Sequence, residues 1–173
     1  MVYDAEMVKV KAWPNADIRT ARHEFANLIN EVDARFREDP SDSILSRFLL
    51  VRSSGYLEYG FETVLCGWAE MQSSPRVSSF VRSNFGRGRN PSPEKLCDVL
   101  GRFDTELRIK FEERISEDDD HVKREISWMV DRRNKIVHGL SENVRASKAL
   151  DVARICYGLV DWLIEELRPG SNS

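Results

Sequence analysis

Asp131-Arg132-Arg133-Asn134-Lys135-Ile136-Val137-His138-Gly139 is the stretch from which the fold can be read. It closes a segment, Asp120 to His138, whose apolar residues fall at Val122, Ile126, Met129, Val130, Ile136 and Val137. That spacing is one face of an amphipathic helix. Arg133 lies three or four residues from Met129, Val130, Ile136 and Val137, so a cation sits near the centre of the apolar stripe. A charge on a buried face costs free energy unless it is paired or the face lines a cleft. His138 falls at the last turn and Gly139 is a plausible C-terminal stop. Five residues turn a helix by about 140° past a full revolution, so Arg133 and His138 splay apart. Asn134 and His138, four apart, share a face. Two copies of this helix end, brought together in a dimer, would surround one phosphate.

The segments on either side also read as helices. Asp17 is expected to cap a first helix running to about Arg37, with Ile18, Ala21, Phe25, Leu28, Ile29, Val32 and Phe36 as its stripe. Asp39-Pro40-Ser41 breaks it. A second, longest helix starts at Ser41 or Ser43 and reaches about Gln72, with Ile44, Phe48, Val51, Tyr59, Cys66 and Ala69 on its main face. Glu58 and Glu62 share that face. Two carboxylates on one stripe and Arg133 on another lead us to expect an ion pair joining Glu58 or Glu62 to Arg133 or Arg52.

Short helices are expected over Arg76 to Asn84, Glu94 to about Phe103 and Leu107 to Ile115. The basic loop Gly86 to Pro93 separates the first two, and the acidic turn Ser116 to Asp120 precedes the motif helix. A last helix, about Ser147 to Leu167, carries Ala149, Val152, Ala153, Cys156, Leu159, Val160, Leu163 and Leu167. The fold class is therefore all-α: a helical bundle with a four-helix core, made by the first, second, motif and last helices, and additional short helices. The division is an N-terminal arm at residues 1–16, a helical domain at 17–168 and a tail at 169–173.

Composition bounds the function. The chain has 173 residues, a formal net charge of −3 and 32% charged residues. This is one soluble-type domain without a global basic field. Cations concentrate locally, at Arg76, Arg82, Arg87, Arg89 and Lys95, and again at Lys123, Arg124, Arg132, Arg133 and Lys135. Cys66, Cys97 and Cys156 are widely spaced and fit a reduced interior better than disulfides or a metal site. No cofactor or metal is expected, no membrane span, and a cytoplasmic location.

Arg133-Asn134-x3-His138 resembles the Arg-(polar)-x3-5-His signature of the HEPN superfamily. The order of Arg52-Ser53-Ser54-Gly55-Tyr56-Leu57-Glu58, then Asn90-Pro91-x-Pro93, then Arg-Asn-x3-His-Gly resembles its RiboL-PSP-HEPN branch. The resemblance spans roughly Ile18 to Leu167. It implies a metal-independent endoribonuclease that leaves 2′,3′-cyclic phosphate and 5′-hydroxyl ends. Its composite site at a homodimer interface would use Arg133, Asn134 and His138. Arg52, Glu58 and Glu62 would support it, and Arg87, Arg89, Arg132 and Lys135 would contact RNA. Such a protein can act as a toxin or defence effector, with an antitoxin or other regulatory protein as a further partner. The alternative is a non-catalytic, dimeric binding or scaffold module of the same fold.

Overall fold

The computed structural model describes residues 12–85 and 90–170. Most of the expected N-terminal arm, the end of the tail, and Arg87 and Arg89 lie outside the described residues. Six helices follow one another: α1 (Ala16–Glu38), α2 (Ser43–Gln72), α3 (Pro75–Ser83), α4 (Pro93–Phe103), α5 (Thr105–Val137) and α6 (Ala146–Glu166). No strand occurs among the described residues, so the all-α reading holds.

The boundaries follow local chemistry. Asn15, rather than Asp17, caps α1, its side chain accepting from the Ile18 N–H at 3.0 Å. Asp42 caps α2 through the N–H groups of Ile44 and Leu45. Ser92 caps α4, with Pro93 in its first turn. The expected acidic turn is a real break. Asp118, Asp119 and Asp120 take φ of 51°, 55° and 59° inside α5. Left-handed conformations cost most L-residues about 1–2 kcal/mol each, and Asp is among the side chains that tolerate them best. The motif half of α5 thus begins as a helix of its own at His121.

The core is the expected four-helix one. Tyr56 stacks towards Tyr157, and Gly60 of α2 faces Val160 of α6, so these two helices run the same way. α1 runs against both: Phe25 stacks on Tyr56 with ring centroids 4.0 Å apart, Arg22 pairs with Asp161, and the Trp13 indole donates to the Ile164 carbonyl. α5 closes the bundle through Phe111, which meets Phe61 and Trp162, and through Met129, which contacts Cys156. α4 packs on α5.

The α2 face is a correction. Its buried residues are Ser46, Leu49, Leu50, Ser53, Ser54, Tyr56, Leu57, Gly60, Phe61, Val64, Leu65, Gly67 and Ala69, so of the expected face only Ala69 is buried. Ile44 is 73% exposed, and Phe48 and Tyr59 are each 48% exposed. Glu58 and Glu62 lie at the border of the buried line and turn towards a small cavity shared with Asn90, Pro91 and Lys95. Among the described residues neither carboxylate pairs with Arg52 or Arg133, so the expected ion pair does not form. The cause is that α2 is apolar nearly all round. Periodicity therefore does not choose its inner face, and the partner α6 does.

Helix approach at Gly60 gives a stability test. A Cβ there would sit 2.6 Å from a Val160 methyl that is itself fully buried. Replacing Gly by Ala inside a helix gains up to ~1 kcal/mol of propensity, while overpacking a core costs about 1–3 kcal/mol. Gly60→Ala should therefore lower stability by about 1–2 kcal/mol in urea unfolding. Gly158→Ala, where a Cβ meets nothing within 4 Å, should leave stability unchanged or raise it by up to ~1 kcal/mol.

Candidate functional site

The last two turns of α5 carry the motif. Met129 and Val130 are buried, Arg133 and Asn134 are half-buried, and Val137 and His138 are exposed. The helix rises out of the core as it ends, so the polar residues that follow the apolar stripe come to the surface at its tip. Three backbone contacts fix that tip. The His138 N–H donates to the Asn134 carbonyl at 3.1 Å, the Gly139 N–H to Ile136 at 3.0 Å, and the Leu140 N–H to Lys135 at 2.9 Å. With Gly139 at φ +78°, this is a Schellman cap. Gly139 is where the chain can take that conformation without a Cβ penalty. The imidazole of His138 is thereby placed on an anchored but exposed backbone.

Arg133 donates from Nη1 to the Asn134 Oδ1 at 3.1 Å. Asn134 therefore touches both other motif residues, Arg133 through its side chain and His138 through its carbonyl. Among the described residues Arg133 has no carboxylate partner. Its neighbours do. Arg132 is bound to Glu142 and lies 3.9 Å from Asp131, with its guanidinium 5.9 Å from the centre of the Trp128 ring. Lys135 reaches Asp131 at 2.9 Å and Glu142 at 3.8 Å. The Glu142 side chain is 11% exposed. It ties the connection after His138 back onto the helix and neutralises two cations while leaving the third. The guanidinium that remains available for an anion is the one on the apolar stripe.

The chain matches the family model described as RiboL-PSP-HEPN over residues 16–167, nearly its whole length. The chain belongs to the RiboL-PSP-HEPN family. No curated protein and no solved structure is detectably similar to it.

Within this RiboL-PSP-HEPN domain the motif residues Arg133, Asn134 and His138 are together at one helix end. Arg132 and Lys135 sit beside them but are engaged with acids. Arg52 is exposed on α2, where it lines an open groove with Asp17, Glu24 and Tyr59. Glu58 and Glu62 face the start of α4. One residue that sequence reasoning passed over is Glu125. It is 8% exposed and pairs with Lys148 of α6. It lies three residues after Val122 and four before Met129, so the periodicity that singles out Arg133 singles it out too. Among the described residues no group of three His, Cys, Asp or Glu side chains is placed to hold a metal ion, and no helix is long and apolar enough to cross a membrane.

Proposed function

We propose that this protein is an endoribonuclease whose site is completed by a second copy of the chain. The observation that carries the reading is the asymmetry at the helix tip: among the described residues Arg133 is half-buried without an acid partner while Arg132 and Lys135 are both neutralised. A planar guanidinium left open at one helix end with an exposed imidazole suits a phosphodiester once two such ends meet. RNA brings its own nucleophile. His138 takes the proton of the 2′-hydroxyl, the 2′-oxygen forms the new bond to phosphorus, and the 5′-oxygen leaves with a proton. Arg133 holds the charge that builds on the non-bridging oxygens, and Asn134 keeps Arg133 aimed. In the dimer the same residues of the second copy supply a second imidazole, so that one acts as base and the other as acid.

Val137 at 55% and Leu140 at 57% exposure flank His138, and an apolar pair around a polar site suits burial by a second copy. A toxin or defence effector, with an antitoxin as partner, is the setting we propose for that activity.

The test uses labelled single-stranded RNA and the purified protein in EDTA. Cleavage should proceed unchanged in the chelator and leave 2′,3′-cyclic phosphate ends. An oligonucleotide with a 2′-O-methyl group at the scissile position should resist completely, because the attacking oxygen is blocked. Equal cleavage of the blocked strand would overturn attack by the 2′-hydroxyl, and no cleavage of native RNA would leave the binding-module reading.

A further inference from the structure

Beside the motif, on another face of the same helix, lies an open pocket of about 340 Å3 walled by Trp128, Asn143, Arg145, Ser147, Lys148 and Asp151. We infer that this pocket is a nucleobase subsite in which Trp128 is the stacking platform for a base of single-stranded RNA next to the cleaved bond. The inference rests on the ribonuclease reading for its RNA, and names where the flanking nucleotide goes.

Glu125, Trp128, Arg132 and Lys135 recur at spacings of three and four, so they form one stripe along α5. Two cations lie over the half-buried indole, with the Lys148 ammonium 5.1 Å and the Arg132 guanidinium 5.9 Å from its ring centre. Each cation is already matched by an acid, Lys148 by Glu125 and Arg132 by Glu142. The patch is therefore a poor phosphate trap and a good setting for an uncharged ring: an aromatic side chain whose neighbouring cations are already matched, walled by an amide and a hydroxyl that can meet base edges.

Arg145, exposed at the start of α6, has no acid partner among the described residues, so it is the wall residue left for a backbone phosphate. Asp151, the one acid in the wall, lies 3.9 Å from Arg154. Two polar atoms beside the indole, Glu125 Oε2 and Arg132 Nε, are buried without a hydrogen-bond partner. Native interiors rarely leave such atoms unmatched. Both belong to the ion pairs that frame Trp128, and neither atom is part of the pocket's wall. The pocket also lies on the connection that follows His138: Asn143 adjoins Glu142, which is tied to Arg132 and Lys135. On this inference a strand held at Arg133 and His138 would follow that connection to the pocket.

The experiment measures binding of a fluorescent 2′-O-methyl oligoribonucleotide, which the mechanism cannot cut, to the full chain by anisotropy. A single abasic position is walked along the strand. For the unaltered protein one position next to the blocked bond should weaken binding by about 10-fold, since base–aromatic stacking contributes roughly that much or more. Trp128→Ala should weaken binding of the intact strand by a similar factor and abolish the abasic penalty at that position. Trp128→Phe should restore most of both, which separates stacking from damage to the fold. Arg145→Ala, at an exposed site, should weaken binding while leaving the abasic penalty in place.

A deoxyribonucleotide strand of the same sequence should show the same Trp128 dependence, because stacking is indifferent to the sugar. An abasic penalty that persists in Trp128→Ala, or no position-dependent penalty at all, overturns the subsite. If Trp128-dependent binding is found with no cleavage of native RNA, the subsite stands and the nuclease reading falls. If RNA is cleaved with no Trp128 dependence, the reverse is concluded.

Discussion

His138→Ala should lower the rate of RNA cleavage by about 10²–10⁴-fold, the usual loss when a general acid–base side chain is removed. The fold should survive, because the imidazole is exposed and the cap at this position is built from backbone groups: the N–H of His138 itself, of Gly139 and of Leu140. An unchanged thermal midpoint beside a collapsed rate is therefore the expected pair of readings. Arg133→Ala should cost a comparable factor, since removing one donor to a developing charge typically costs about 10²–10³-fold. Arg133→Lys should recover only part of it, because an ammonium cannot offer the planar fork. In the other direction, Glu142→Gln frees Arg132 and Lys135 from their shared carboxylate. It should tighten RNA binding without raising the rate of the bound complex. Full activity in His138→Ala would remove the histidine from the chemistry and require another acid–base group.

How much of this was legible before the structure depends on the kind of signal. Helix ends were legible because they are written in local chemistry. Asp39-Pro40, Ser74-Pro75 and Ser92-Pro93 each stop or start a helix where expected, and Gly139 takes the positive φ that its place after the motif implied. The motif helix was legible because its apolar stripe is narrow and has a cation in it. α2 was not. With apolar residues on every side, the choice between the line through Phe48 and Tyr59 and the line through Leu57 and Phe61 is made by α6, which offers Val160 against Gly60. A helix periodicity holds no information about its partner. The pairing of Arg132 and Lys135 with Glu142 was hidden for a related reason, since that carboxylate lies in the connection after the helix ends, outside any helical register. The expected pairing of Glu58 or Glu62 with Arg52 or Arg133 failed because it assumed the wrong face of α2, which leaves Arg133 without a carboxylate partner among the described residues.

Mixing two inactive variants should restore part of the activity, short of what two imidazoles give. Arg133 and His138 splay from the helix tip by about 140°, and Val137 and Leu140 stand exposed around the histidine at 55% and 57%. A site drawing on two tips has one arginine and one histidine left when a chain carrying His138→Ala meets a chain carrying Arg133→Ala. Refolded or co-expressed together, such a pair should regain a measurable fraction of the native rate, while each variant alone stays near background. The same geometry sets a second outcome. An exposed apolar residue replaced on a monomer changes stability by less than about 0.5 kcal/mol, so Val137→Asp and Leu140→Asp should leave the thermal midpoint of each chain almost untouched. If a second copy covers these residues, each substitution buries an unpaired carboxylate, at a cost of several kcal/mol. The dimer should then dissociate at micromolar concentration in sedimentation, and cleavage should fall by at least 10²-fold at a cost of that size. Activity that is lost in Val137→Asp but returns as protein concentration rises would trace the loss to assembly rather than chemistry. A Val137→Asp chain that sediments as a monomer and cuts RNA at the native rate would end the shared-site mechanism and return the whole reaction to a single copy of Arg133, Asn134 and His138.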